Sequence, residues 1–257
     1  MYAFSHTDST YVKPPGGGAA DRSDAAQPTG DHGLPPPHDP SRKNPPPQDR
    51  PRTKAAQREA TTAALLKAAR ELFAERGYAA VGTEEIVQRA GVTRGALYHH
   101  FRGGKEELFR AVLVQLSAET VRQVARAATV PDDPWEALEA GADALLDACA
   151  TPEVQRIVLV DGPSVLGWDL WRAIDSDYGL GLLEQALERA MAAGAALPAS
   201  TTAVAHVLAG ALDEAAMVVA RAEDPAAARA EMGQTVRRLL EGLRGPATSA
   251  PHLKERP

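Results

Sequence analysis

Hydrophobic residues recur at helical spacing along most of the chain after residue 53. In the segment TTAALLKAARELFAERG, Leu65, Ala69, Leu72 and Phe73 follow the i, i+4, i+7, i+8 pattern of one helical face, and Gly77 then ends the helix. Later segments show the same periodicity, whereas no stretch of useful length alternates with the period of two that a strand requires. The pattern predicts an all-α fold.

Two short helices are predicted between Thr83 and Phe101. The first is TEEIVQRA, with Thr83 as its N-cap and two glutamates near the positive end of the helix dipole. The residues AGV supply a turn, and Thr93 caps a second helix that ends near Phe101. A short helix, a turn and a second helix are the layout of a helix-turn-helix motif.

Proline and glycine mark the other predicted boundaries. A long helix is predicted from Lys105 to about Ala127, after a pair of glycines. A helix that begins near Pro152 is expected to break at Gly162-Pro163. Only helices and short connections are therefore expected after residue 105.

The composition changes near residue 50. Ten of the 20 prolines lie in the first 50 residues, and aliphatic clusters that would offset the loss of chain entropy are nearly absent there. Residues 1–54 are therefore predicted to form a disordered, Pro/Gly-rich arm, and residues 246–257 a flexible tail.

The net charge is unevenly distributed. The chain carries −6 overall, but residues 50–110 hold 12 basic and 7 acidic residues, a net of +5. Residues 111–257 hold 12 basic and 21 acidic residues, a net of −9, and the first 49 residues contribute −2. Because the basic region coincides with the predicted helix-turn-helix, double-stranded DNA is the expected partner. The alternative is that the modest excess of arginine only keeps a helical surface solvated.

The predicted second short helix has a polar outer face. When its apolar residues point inward, Arg94, Gly95, Tyr98 and His99 remain outside. Arginine can donate to guanine O6 and N7, glycine lets the backbone approach closely, and the rings can reach base edges or phosphates. Lys105, in the first turn of the next helix, can bind a phosphate.

Other kinds of site are disfavoured by spacing. His99 and His100 are adjacent and point about 100° apart on a helix, whereas a chelating pair needs i, i+4 spacing, so no metal is expected. A Walker loop would need glycine at His99, and GPSVL lacks the last glycine of the hydrolase motif. We therefore predict no enzyme and no cofactor. The alternatives are a helical enzyme, or an adaptor that has a small-molecule cavity and has lost DNA binding.

The remaining bulk features point to the cytoplasm. The single cysteine, Cys149, excludes an internal disulfide, and its apolar neighbours favour a buried side chain. The N-terminus lacks the pattern of a secretory signal, and no uninterrupted apolar run reaches the roughly 18 to 20 residues that span a bilayer. A cytoplasmic protein without a membrane partner is expected.

Residues 58 to 114 resemble the N-terminal DNA-binding domain of the TetR family of bacterial transcriptional regulators. The resemblance rests on LFAERGY, EEI…RAGV, GALYHHF and KEELF, in this order and close to the usual distances. DGPSVLGWDLW and GALDEAAM give a weaker resemblance to C-terminal regions of actinobacterial members. The resemblance implies a homodimeric repressor that binds a palindromic operator until a small-molecule effector releases it. It also implies a DNA-binding domain at 55–114, with the motif at about 83–101, and a ligand-binding and dimerisation domain at 115–245.

The resemblance also implies individual DNA contacts. Bases would be met by Arg94, Gly95 and His99, and phosphates by Thr83, Thr93, Tyr98, His100 and Lys105. FRGGKEELF is one residue longer than the commonest family spacing before the lysine. Three basic residues before the first predicted helix, Arg52, Lys54 and Arg58, either reach the minor groove or are solvated.

A ligand pocket is expected among the middle helices of the C-terminal part. Its proposed apolar walls are Trp168 and Trp171, and its proposed polar anchors are Arg156, Asp161, Asp143 and His206. Each of these residues has a structural alternative, as part of the core or as a locally satisfied polar group.

The dimer interface is predicted in the last two helices, about 201–222 and 225–243. Small residues at 209–211 permit the close approach that a four-helix interface with a second copy requires. The alternative is that these helices only cover the core of the monomer.

Overall fold

The computed structural model describes residues 53–245 of the chain. They form ten α-helices and one π-helical segment, and this range holds no strand, only an isolated bridge between Ala196 and Arg244. The helices are α1 (Lys54–Arg76), α2 (Thr83–Ala90), α3 (Arg94–His100), α4 (Gly104–Ala127), α5 (Pro134–Cys149), α6 (Pro152–Val154), α7 (Gly162–Leu166), α8 (Trp168–Ala192), α9 (Thr201–Arg221) and α10 (Pro225–Glu241). The predicted all-α fold is confirmed.

Helix α1 begins before its apolar stripe. The Thr53 hydroxyl caps it by accepting from the amide of Ala56 at 3.2 Å. Lys54 and Arg58 therefore lie in the first turns of α1, and their placement in an extended arm was wrong. The Thr53 cap and the high helix propensity of the alanine residues that follow it can start the helix. The hydrophobic pattern does not show this start, because the first turns of α1 contain no buried residue. Arg52, the rest of the predicted arm and the predicted tail at 246–257 lie outside the described residues.

The two helices of the predicted motif form, with one change in capping. Gly82, not Thr83, is the N-cap of α2, and its carbonyl accepts from the amide of Ile86 at 3.3 Å. Glycine is an adequate N-cap residue, so Thr83 becomes the first residue of the helix instead. Thr93 caps α3 as predicted, accepting from the amide of Ala96 at 3.2 Å.

One apolar core joins the first three helices to the C-terminal part. Fully buried side chains from α1, α2 and α3 contribute, and the same cluster continues into α4, the π-helical segment and α8. Its members include Leu65, Leu72, Phe73, Ile86, Leu97, Leu113, Ile157 and Trp171. Burying each of these large side chains contributes roughly 1.5–3 kcal/mol. The predicted boundary between residues 114 and 115 falls inside α4, so the two parts share a continuous helix.

A second core lies between α5, α8, α9 and α10. Trp135, Leu146, Leu187, Leu212 and Val236 are buried in it. These four helices form the larger, C-terminal part of the described chain, and α4 packs beside α5 and α8.

The chain does not break at Gly162-Pro163, contrary to prediction. Residues Gln155–Asp161 are π-helical, α7 follows directly, and the turn comes at Gly167, where φ is +79°. Pro163 is tolerated because it lies in the first turn of α7. A Cβ atom at Gly162 would lie 2.9 Å from side-chain atoms of both Leu113 and Trp171, so glycine permits this close packing.

Helix α9 alone among the described helices is long and apolar enough to cross a membrane by length and composition. It was not predicted as such because Asp213 and Glu214 interrupt its apolar residues. The helix packs against α8 and α10, and core helices of globular proteins meet the same criteria.

Candidate nucleic-acid interface

Helix α3 presents the polar face that its sequence predicts. Arg94, Gly95, Tyr98 and His99 are exposed, while Leu97 between them is fully buried. The Arg94 guanidinium carbon lies 5.7 Å from the centroid of the Tyr98 ring. Because Leu97 and the Thr93 cap fix the helix, its outer face is held in one orientation toward solvent.

His100 differs from its neighbours on α3, because it faces α1. Its Nδ1 lies 2.9 Å from the Thr62 hydroxyl, and the side chain is partly buried. Burial, together with His99 and Arg58 nearby, lowers the pKa of His100 below its ordinary value. The neutral ring is therefore favoured in the free protein.

Lys105 is held within the protein. Its Nζ donates to the carbonyl oxygens of Tyr78 at 3.0 Å and Val81 at 2.9 Å, and it lies 3.9 Å from the centroid of the Tyr78 ring. Burial lowers the pKa of Lys105. Two of the three N–H donors of Lys105 thus fasten the α1–α2 loop to the start of α4, and the phosphate contact through the third donor stays a prediction.

The other predicted DNA contacts lie at helix starts. Thr93 is exposed at the start of α3, and its hydroxyl can still donate to a phosphate while it caps the helix. Thr83 is partly exposed at the start of α2, and Lys54 and Arg58 are exposed on the first turns of α1. These residues surround the exposed face of α3 with hydrogen-bond donors and positive charge.

A cluster of ion pairs ties α1 to the C-terminal part. The Arg70 guanidinium contacts both oxygens of Glu153, at 2.6 and 2.8 Å, and one oxygen of Glu119 at 2.7 Å. We call these three side chains the α1 clasp. The clasp joins the helix that supports the motif to α4 and α6.

Asp161 and Arg156 lie at the end of α1 and do not line the cavity described below, and Asp143 is paired with Arg229 and Arg237 instead. The Asp161 carboxylate accepts from the amide of Tyr78 at 2.7 Å, and Arg156 is exposed beside Gly77. Their predicted role as pocket anchors is corrected: Asp161 caps a loop amide that α1 leaves free. The sequence could not show this, because the two partners are 83 residues apart.

The two tryptophans do not line that cavity either. Trp171 is buried in the first core, and its indole N–H donates to the carbonyl of Val158 at 2.8 Å. Trp168 is 55% exposed at the start of α8. Their predicted role as pocket walls is therefore corrected.

A cavity of about 140 Å³ lies among α4, α5, α8, α9 and α10. His206 is the predicted residue that lines it, and most of the other lining side chains are apolar. Sequence reasoning missed the strongest polar lining, namely Arg172, Asp175 and Asp213. The i, i+3 spacing of Arg172 and Asp175 on α8 was the available signal, but surface ion pairs share it.

These three charged residues form one group on the cavity wall. Arg172 Nη1 contacts Asp213 closely and lies 3.4 Å from Asp175 Oδ2. Burial raises the pKa of Asp175, and the nearby Arg172 opposes that rise. The group therefore places two carboxylates against one guanidinium in a largely apolar space.

The fold and the exposed α3 define a helix-turn-helix DNA-binding protein with a helical, cavity-bearing C-terminal part. The sequence also matches two family models: residues 65–112 match bacterial regulatory proteins of the tetR family, and residues 135–243 match the tetracyclin repressor-like C-terminal domain. The chain belongs to the TetR family of transcriptional regulators. It is accordingly a regulator and not an enzyme.

Curated relatives match only part of the chain. The chain is 31% identical over 121 residues to the Tn10 TetC protein of Escherichia coli, covering 46% of this chain and 59% of that one. It is 42% identical over 83 residues to the transcriptional activator FasR of Mycolicibacterium smegmatis, covering 32% and 37%. It is 31% identical to the regulator SrpR of Pseudomonas putida, covering 56% and 67%. The chain thus spans between about a third and two thirds of these relatives.

Solved structures share the whole fold. A TetR-family transcriptional regulator from Pectobacterium atrosepticum is 35% identical, with a TM-score of 0.68, covering 75% of this chain and 98% of that one. A TetR-family regulator from Agrobacterium tumefaciens has a TM-score of 0.56 at 23% identity, covering 73% and 100%. The second likeness concerns the fold alone.

Proposed function

We propose that this protein is a ligand-released repressor that binds a palindromic operator as a homodimer, with α3 in the major groove. The observation that carries the proposal is the exposed face of α3. Arg94, Gly95 and His99 are exposed there, while Leu97 of the same helix is fully buried. A rigid helix with a free arginine has the geometry for bidentate donation to guanine. DNA binding of this kind also implies a cytoplasmic location.

The remaining polar residues around α3 are proposed to hold the DNA backbone. Thr83, Thr93, Tyr98 and His100 would bind phosphates, which fixes the register of α3 in the groove without reading the sequence. Arg58 stands close enough to His100 to influence its pKa, so the positive surface extends from α3 onto α1. Lys105 would bind a phosphate through the one N–H donor that its two carbonyl contacts leave over.

The dimer is proposed to form through α9 and α10. These helices expose apolar side chains, with Val207 73%, Val218 39% and Leu239 51% accessible. Gly210 has open space where a side chain would stand, which allows a second helix to approach closely. A two-fold dimer would read half-sites about 34–36 Å apart. Sedimentation as a monomer at micromolar concentration would exclude this interface.

Whether the protein represses or activates transcription does not follow from DNA binding, because the similar proteins include both an activator and a repressor. FasR is described as an activator and Rv3405c of Mycobacterium tuberculosis as a repressor. We propose repression, with a small molecule in the cavity shifting the dimer to a form whose α3 helices no longer match the groove spacing. A reporter gene behind the operator should become more active when this protein is deleted; lower activity would show an activator.

DNA titration with two arginine variants tests the interface. Binding is measured at two salt concentrations for wild type, Arg94→Ala and Arg126→Ala. The DNA is the region upstream of the gene for this protein, together with genomic fragments selected for binding to it. Arg126 is exposed at the far end of α4, so its variant removes the same charge away from α3. Arg94→Ala should weaken specific binding by about 1–3 kcal/mol, while Arg126→Ala should leave it nearly unchanged. If no fragment is preferred, the adaptor alternative replaces the proposal.

A further inference from the structure

The charged group on the cavity wall carries an excess of negative charge. Arg172, Asp175 and Asp213 together have a formal charge of −1, and the other lining side chains that could ionise are Tyr178, His206 and Cys149. Burial raises the pKa of Cys149, so its thiol is neutral at physiological pH. The cavity therefore presents a net carboxylate to whatever enters it.

Asp175 is the carboxylate of this group with the weaker existing contact to Arg172. Asp213 holds Arg172 Nη1 in a close contact, and Asp175 shares the same nitrogen at 3.4 Å, beyond the usual range of about 2.7–3.2 Å. Within residues 53–245, this long contact is the one side-chain hydrogen bond recorded for Asp175. A carboxylate accepts up to four hydrogen bonds, so a further donor is favoured here.

The rest of the cavity is shaped for a small apolar body. Side chains such as Val124, Leu138, Leu145, Leu183 and Leu212 form its walls. Its volume, about 140 Å³, is close to that of the engineered cavity of roughly 150 Å³ that takes up benzene. One six-membered ring therefore fits, with its polar substituent directed to α8.

We propose that this cavity binds a small organic cation: a protonated amine attached to one aromatic or alicyclic ring. The ammonium group donates to Asp175, and the ring lies against the leucine-rich walls. The role of this ligand as the effector rests on the proposed function. The binding of the ligand is inferred from the cavity alone.

Charge decides between the three possible ligand types. An anion would add to the existing carboxylate excess, because Asp213 already neutralises Arg172. An uncharged hydroxyl can donate to Asp175 but would leave the formal charge of the three side chains at −1. A monovalent cation brings the formal charge of the cavity to zero and adds a charge-assisted hydrogen bond.

Three ring compounds of similar size test the proposal: benzylamine, benzyl alcohol and benzoate. Their binding to the full chain is measured by calorimetry at neutral pH, in wild type, Asp175→Asn and Asp177→Asn. Asp177 lies on the same helix but is exposed and does not line the cavity, so its variant is the matched control. Circular dichroism checks that each variant is folded.

Wild type should bind benzylamine roughly tenfold or more tightly than benzyl alcohol, and should not bind benzoate. Asp175→Asn should abolish the advantage of the amine, and Asp177→Asn should keep it. The proposal would be overturned if wild type bound the three compounds with equal affinity, bound the alcohol or the anion more tightly, or bound none of them. These outcomes are measured on wild type, so they do not depend on whether a variant folds.

Operator affinity in the presence of benzylamine is measured separately. Release of DNA bears on the proposed function alone. An amine that binds through Asp175 without altering DNA affinity would leave the ligand class intact and contradict the effector role.

Discussion

The α1 clasp should be worth more than an ordinary surface ion pair. Replacing Arg70 by methionine keeps the apolar stem of the side chain and removes three charge-assisted hydrogen bonds, those at 2.6, 2.7 and 2.8 Å. The side chains of Arg70, Glu119 and Glu153 are 27%, 34% and 34% exposed, so solvent screens them only in part. An exposed pair contributes about 0–1 kcal/mol. Because two carboxylates would be left facing each other, we expect Arg70→Met to lower the free energy of unfolding by about 2 kcal/mol.

Urea denaturation followed by circular dichroism measures this loss, and Arg76→Met is the control. Arg76 lies on the same helix and holds both oxygens of Glu85 at 2.7 Å, but that pair joins α1 only to α2 and is more exposed. We expect Arg76→Met to cost no more than about 0.5–1 kcal/mol. Equal losses for the two variants would refute the reasoning that the clasp gains from its second carboxylate and its partial burial.

The cost of Arg70→Met should also depend on pH. Burial opposes ionisation of Glu119, but hydrogen bonds from Gln115 and Arg70 outweigh it and hold the pKa of Glu119 below its ordinary value. A carboxyl whose pKa is lowered on folding stabilises the protein above its unfolded pKa, and this contribution is lost as the pH falls through the folded pKa. The difference between wild type and Arg70→Met should therefore shrink in acid. A difference that persists there would mean that packing, not charge, accounts for it.

Three further predictions follow from single residues. Burial and the nearby Asp175 raise the pKa of Cys149 to about 12, so a disulfide reagent at pH 8 should label it only after unfolding; fast labelling of the folded protein would show that the thiol is accessible. Because a phosphate favours the protonated ring of His100, operator affinity should increase as the pH falls from about 8 to 6, and His100→Gln should flatten this trend; a trend unchanged in the variant would exclude the contact. Gly162→Ala forces a Cβ to within 2.9 Å of Leu113, and we expect a loss of about 1–3 kcal/mol by urea denaturation; a neutral effect would show that the packing there relaxes freely.

The helices and the exposed face of α3 could be predicted from sequence because their signals are local. The stripe from Leu65 to Phe73 and the cap at Thr93 lie within one or two turns of the structure they specify. Fixing Leu97 inward turns the adjacent Tyr98 about 100° away from the core, and Arg94 lies at the exposed first position of α3.

The pocket could not be predicted in the same way, because it depends on which helices pack together. Asp213 is 41 residues from Arg172, and nothing local distinguishes that pair from surface charges. The carbonyl partners of Lys105 could not be predicted for the same reason, since they lie 24 and 27 residues earlier in the chain. Trp171 was assigned to a ligand wall because an aromatic residue serves a core or a pocket equally well, and only tertiary packing decides.

The π-helical segment makes this chain intolerant of a change in length at one point. A π-helix bonds residue i to i+5, so Gln155–Asp161 holds more residues per turn than an α-helix would. Deleting one residue there would restore the α-helical repeat and rotate everything beyond it by about 100°. Asp161 would then face away from the Tyr78 amide, and Gly162 would no longer meet Leu113 on α4. The register of α7 and α8 relative to α1 is thus set by the count of residues between Pro152 and Gly162, a spacing that homologous chains must preserve if they keep both contacts.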